Sequence, residues 1–136
     1  MQLATLLKEL DALNLPKDQY VITSSASLAV RGIREAKDLD IFVSEKLWHK
    51  LAEKYGISYS PLESIIIGNI EALWKSSNFV DPEVASPEEL LESKEMIQGY
   101  PYASLEVLRK LKALGKREKD IRDVKLIDEY LAKNRK

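Results

Sequence analysis

The chain has no cysteine, a single histidine, five glycines and five prolines in 136 residues. Without cysteine there is no disulfide, no thiolate nucleophile and no cysteine-held zinc. The one histidine, His49, follows Trp48 on an amphipathic segment and reads as a surface residue, since no second imidazole is available to build a site. Aromatic residues are sparse at 7%, so no row of stacking platforms for single-stranded nucleic acid accompanies the basic segments. No apolar run approaches the roughly 20 residues that cross a bilayer. The segment Met1 to Glu9 lacks the basic region and apolar stretch of a signal peptide. These absences predict a soluble, cytoplasmic protein with no membrane partner. What remains is 45% hydrophobic and 32% charged, a balance that predicts one compact domain over 1–136 with a substantial core.

The net charge is −1, but it is unevenly spread. Residues 109–136 carry eleven Lys or Arg against five Asp or Glu, while residues 1–108 carry ten against seventeen. A basic C-terminal third can meet RNA or the phosphates of a nucleotide. Lys and Arg are equally good helix formers that solvate an exposed face.

Periodicity gives alternating elements. Leu3, Leu6, Leu7, Leu10 and Leu13 share one face of a first helix that ends near Asn14-Leu15-Pro16. A strand at 19–23 and a helix at 25–34 follow, then a strand at 39–43. Ser44 caps a helix with Leu47, Trp48, Leu51, Ala52 and Tyr55 on its apolar face and Gly56 as its stop. Ile65-Ile66-Ile67 and Ile70 to Trp74 read as two strands or one bent strand around Gly68-Asn69, a candidate hairpin turn. Ser86-Pro87 opens a short helix, Ser104 caps one running to Leu114 before Gly115, and a last helix from Glu118 to Lys133 turns Ile121, Val124, Ile127 and Leu131 inward. The fold class expected is α/β (α+β), a small mixed sheet flanked by helices.

The chemistry gathers on Asp38-Leu39-Asp40-Ile41-Phe42-Val43. Side chains alternate along a strand, so Asp38 and Asp40 face one way while Leu39 and Ile41 enter the core. Two adjacent carboxylates repel unless something positive lies between them. A hard divalent cation such as magnesium, which takes oxygen ligands and is often held by one or two carboxylates plus substrate phosphates, answers that requirement. The alternative is an ordinary solvated strand end. Upstream, Tyr20 to Thr23 reads as a strand and Ser24-Ser25-Ala26-Ser27 as a small-residue turn opening a helix, where backbone N–H groups favour an anion. A phosphate-holding turn beside a metal-holding acid pair makes a nucleoside-triphosphate site.

These residues resemble the nucleotidyltransferase superfamily with the DNA polymerase beta-like fold, in its small prokaryotic branch that includes toxin–antitoxin nucleotidyltransferases. The family pattern is a hydrophobic residue, Gly, then Gly or Ser, a spacer of roughly nine to thirteen residues, and Asp-hydrophobic-Asp/Glu-hydrophobic. Here Thr23-Ser24-Ser25 is followed by twelve residues and then Asp38-Leu39-Asp40-Ile41. The segment Leu28 to Arg34 and the late segment from Leu111-Lys112 through Lys116 to Asp123 match in style, so the resemblance runs over about residues 18–131. The departure is Ser24, where the family usually has a Gly that lets the backbone approach the phosphates.

The resemblance implies transfer of a nucleoside monophosphate from a nucleoside triphosphate such as ATP to an acceptor hydroxyl on a protein, an RNA or a small molecule. In that scheme Asp38 and Asp40 hold Mg2+ (or Mn2+), and Ser24 and Ser25 meet the phosphates. Glu71, the lone acid in its apolar segment, would take the acceptor proton or complete a two-metal site. As a plain strand residue it would simply face solvent. Lys112, Arg117, Lys119 and Asp120 match a late motif in which cations neutralise triphosphate charge. Asp120 and Asp123 sit three apart on the side of Val124 and Ile127, partly toward the core, and this favours a structural ion-pair network with Arg31 or Arg34 as partner. The resemblance also admits a non-catalytic binding or regulatory subunit with a partner protein, as in a toxin–antitoxin pair. A weaker alternative is an RNA-binding module built on the basic C-terminal helices.

Overall fold

A computed structural model describes residues 2–59, 63–75, 87–113 and 118–134. Among these residues six strands form one mixed sheet: β1 (Tyr20–Thr23), β2 (Leu39–Val43), β3 (Ile65–Ile67), β4 (Ile70–Leu73), β5 (Glu95–Ile97) and β6 (Tyr100–Tyr102). Their order across the sheet is β3-β4-β2-β1-β6-β5. The central pair β1–β2 is antiparallel, with β4 parallel to β2 and β6 parallel to β1. Antiparallel hairpins finish both edges.

Among the described residues six helices flank the sheet: α1 (Leu3–Asp11), α2 (Ser24–Ala29), α3 (Glu45–Tyr55), α4 (Pro87–Glu92), α5 (Leu105–Ala113) and α6 (Glu118–Lys133). Strand alternation sorts the core into two. Tyr20, Ile22, Leu39, Ile41, Val43, Ile70 and Ala72 pack with Leu6 and Leu10 of α1 and Leu47, Trp48 and Leu51 of α3. The intervening Val21, Phe42 and Leu73 pack with Leu90 of α4, Leu105 and Leu108 of α5 and Ile127 of α6. Every residue of β1 is therefore buried, as expected for a central strand covered on both faces.

Local signals place most boundaries. The Ser44 hydroxyl accepts from the Leu47 amide and starts α3, and Gly56, at φ 80, ends it. Ser104 Oγ accepts from the Val107 amide at 3.2 Å and caps α5. Ser86, Leu114 and Gly115 lie outside the described residues. At Gly68-Asn69 the two-residue hairpin loop forms with Gly68 at φ 62, the glycine that a type II′ turn carries first. A Cβ there would collide with the Glu9 carboxylate, which accepts from the Asn69 amide at 2.8 Å.

Three expectations are corrected. The helix expected over 25–34 is shorter, because Gly32 at φ 73 closes it: the Gly32 amide donates to the Ala29 carbonyl and the Ile33 amide to Leu28, the paired bonds of a Schellman stop. The hairpin Glu95–Tyr102 was not expected. Gln98 at φ 52 and Gly99 at φ 87 form its two-residue turn, and its strands are only three residues each, too short to show alternation. On α6 the inward stripe departs at Ile121, which is 62% exposed, while Asp120 and Asp123 are buried beside Ile127 as their spacing predicts. Charge helps to set this face, since Asp123 meets two cations inside.

Candidate functional site

Register brings Asp40 and Glu71 together at one end of the interior strands. Thr23, the last residue of β1, lies opposite Asp40 on β2, and Asp40 lies opposite Glu71 on β4. Directly opposed residues share a face with Cβ atoms roughly 5 Å apart. Asp38, two residues before Asp40 and just ahead of the strand, is exposed; Asp40 and Glu71 are half-buried. Ser24 and Ser25 follow Thr23 directly as the first residues of α2, so the turn meets the acid pair where β1 ends and β2 begins.

Thr23 stands at the N-cap position of α2 without making a side-chain cap bond. Its Oγ1 is buried and has no hydrogen-bond partner among the described residues. An unsatisfied buried hydroxyl costs about 1–3 kcal/mol, and this one sits on the face of Asp40. Glu71 is better held: Ser64 Oγ donates to its Oε2 at 2.7 Å.

The donor set suits a hard cation: carboxylate and hydroxyl oxygens, with no thiol or imidazole. Among the described residues no group of three or more acids, histidines or cysteines converges on one point. Asp38 and Asp40 are the carboxylates of the expected pair that could hold such a cation.

The late cationic residues form a second cluster. Lys112 Nζ donates to Asp123 Oδ2 at 2.9 Å and Arg34 Nη1 to Oδ1 at 2.8 Å. Burial pushes the Asp123 carboxyl up, but the bonds from Lys112 and Arg34 outweigh it and hold the group below its ordinary range. The partner foreseen for Asp123 is thus Arg34. Arg31 is turned elsewhere: its guanidinium donates to Ser27 and to the Ala103 carbonyl, and pairs with Glu95 at 3.0 Å. Lys119 is exposed in the first turn of α6, Asp120 is buried, and Arg117 lies outside the described residues. Lys112 is thus committed internally, with only 13% of its side chain exposed.

Sequence reasoning missed Thr23 and Ser64. Thr23 could have been noticed as the β-branched residue ending β1 opposite the acid pair. Ser64 carries no signal beyond its place one residue before an isoleucine run.

No family model matches the sequence, and no curated protein does. Among solved structures, a Thermotoga maritima protein provisionally assigned as a nucleotidyltransferase is similar over 97% of this chain and 93% of its own, at TM-score 0.57 and 20% identity. The similarity extends from end to end and establishes a nucleotidyltransferase-like fold.

Proposed function

We propose that the chain is a metal-dependent nucleotidyltransferase, with residues 1–136 acting as a single domain of that fold. The observation that supports this reading is the register Thr23–Asp40–Glu71, which aligns the residue before Ser24, one acid of the pair and a further carboxylate on one face at one end of three neighbouring interior strands. Asp38 and Asp40 would hold magnesium or manganese, which when bound neutralises phosphate charge and polarises the α-phosphate. The Ser24 and Ser25 amides would hold the triphosphate. Glu71 accepts the proton from the acceptor hydroxyl. The freed oxygen bonds to the α-phosphorus, and the bond to the β-phosphate oxygen breaks, its electron pair leaving with pyrophosphate. The fold relationship supports a nucleotide substrate. The acceptor is a protein, RNA or small-molecule hydroxyl.

Incubation of the purified chain with magnesium and each α-labelled nucleoside triphosphate, with and without cell extract, tests the reading. Label transfer that is lost in Asp40→Asn is expected; no transfer with any nucleotide would overturn it.

A second reading is a non-catalytic subunit of the same fold, serving a partner protein as in a toxin–antitoxin pair. Two observations favour it: Ser24 stands where the related pattern has Gly, and Lys112 is spent on Asp123. Calorimetry separates the two. Triphosphate binding that Ser24→Gly preserves or strengthens supports the enzyme, and absence of binding in both forms supports the subunit.

A further inference from the structure

Ser64 is 1% exposed and sits immediately before β3, outside any motif. Its backbone is fully committed: its amide donates to the Ser58 carbonyl at 2.9 Å and its carbonyl accepts from the Ser58 amide at 2.8 Å. That two-way bridge fixes the Cα, so the hydroxyl has little freedom beyond rotation about its own bonds. It spends its proton on Glu71 Oε2.

Glu71 would otherwise be poorly defined. A glutamate side chain has three rotatable bonds, and ordering it costs on the order of 1.5–2 kcal/mol. The strand fixes only where the side chain starts. Across the sheet, its neighbours on the same face are Asp40 on one side and Ile66 on the other, and Ile66 is 54% exposed. Asp40 repels the carboxylate and Ile66 offers no hydrogen bond, so Ser64 is the group that selects its orientation. Ser64 engages Oε2, which leaves Oε1 as the carboxylate oxygen it does not hold. The hairpin does not need this bond for pairing, because Ile65 to Ile67 are already laddered against Ile70 to Ala72.

We propose that Ser64 is a positioning residue, holding Glu71 so that one carboxylate oxygen faces the acceptor hydroxyl. This rests on the reading of Glu71 as proton acceptor. Ser64 touches neither substrate nor metal in this scheme. It acts through Glu71, where a misplacement of about 1 Å can cost about 100-fold in rate.

The experiment measures transfer of α-labelled nucleotide, with magnesium and cell extract as acceptor source, at several ATP concentrations. It compares wild type, Ser64→Ala, Ser64→Thr, Ser64→Cys and Glu71→Gln. The expected result is an apparent kcat lowered by roughly tenfold or more in Ser64→Ala with KM for ATP changed less than about twofold, because the lost interaction matters to the reacting group and not to nucleotide binding. Ser64→Thr, which keeps the hydroxyl, should recover most of the rate. If Ser64→Ala does not fold, Ser64→Cys decides, since a thiol is a weaker donor of similar size and should also lower kcat. Wild-type kcat in Ser64→Ala, or in Ser64→Cys when that variant decides, beside an inactive Glu71→Gln would overturn the role of Ser64 and leave the proposed function standing. Full activity in Glu71→Gln would remove Glu71 from the chemistry, and Ser64 with it. A wild type that transfers no label would remove the proposed function itself.

Discussion

Asp40 occupies the position on which the proposed chemistry depends, between the end of β1 and the start of β4. A ligand that binds only the folded state raises its melting temperature. Magnesium or manganese with ATP should therefore raise the midpoint of wild type, and Asp40→Asn should abolish that rise while staying folded. Equal shifts in both proteins would remove Asp40 from the site. Tyr102 makes a contrasting case. It is fully buried, its hydroxyl has no partner among the described residues, and burial first, then Tyr100, pushes its phenol up to about 12 against an opposing effect of Arg31. Removing an unsatisfied hydroxyl removes its desolvation cost, so Tyr102→Phe should be neutral or stabilise by about 1 kcal/mol in urea unfolding. The folded phenol titrates above the unfolded one, so its contribution is intact below about pH 10 and is lost as pH rises from there toward 12. Tyr102→Phe should accordingly soften the alkaline loss of stability. A destabilisation of 2 kcal/mol or more (about the cost of a lost buried hydrogen bond) would show that the hydroxyl has a partner after all.

Among the elements, Asp123 joins three: α6, which carries it, α5 through Lys112, and the α2–β2 connection through Arg34. Breaking a buried pair by removing the anion leaves two cations uncompensated, and the cost of Asp123→Ala should be about 3 kcal/mol, the lower end for such sites because Arg34 is 29% exposed. The sign with pH follows from the lowered pKa. The stabilisation is present above the ordinary carboxylate value and disappears as pH falls through the lower folded value. Wild type should lose more stability than Asp123→Asn on acidification below about pH 4, measured by urea midpoints. This cluster also shows what was legible from sequence. The helices capped by Ser44 and Ser104 and the Gly68-Asn69 turn rest on short-range signals, and each formed, whereas Ser24 to Ser27 fell inside α2 instead of in a turn ahead of it. The inward place of Asp120 and Asp123 on α6 was legible from helical spacing, but the exposure of Ile121 was not, since Asp123 is held by cations outside its own helix, Lys112 and Arg34. Ser64 was equally hidden, because its role comes from a cross-strand neighbour seven residues away.

At the scale of the whole molecule, charge is asymmetric, with the excess of Lys and Arg in residues 109–136. Part of that excess is already neutralised: Lys112 by Asp123 and Arg109 by Asp128. Buried Asp120 and Asp123 further interrupt the basic helices. Labelled single-stranded RNA titrated at two salt concentrations should therefore show only weak binding. A tight complex whose affinity falls steeply with salt, with a slope of about −0.7 per phosphate contacted, would favour a nucleic-acid module instead.

The position of β1 in the sheet has a consequence for how the chain is made. Its one edge pairs with β2, only about 20 residues downstream, whereas its other edge waits for β6, joined through Ile22 and Tyr102. Residues through Leu73 can assemble the β3-β4-β2-β1 portion while the ribosome still holds the rest. At about 5–20 residues per second, β1 then presents an open, apolar hydrogen-bonding edge for on the order of seconds. Unsealed edges recruit other chains. Synthesis rate and nascent-chain chaperones thus bear on the yield of this protein, and fragments ending near residue 75 should aggregate through β1 where the full chain does not.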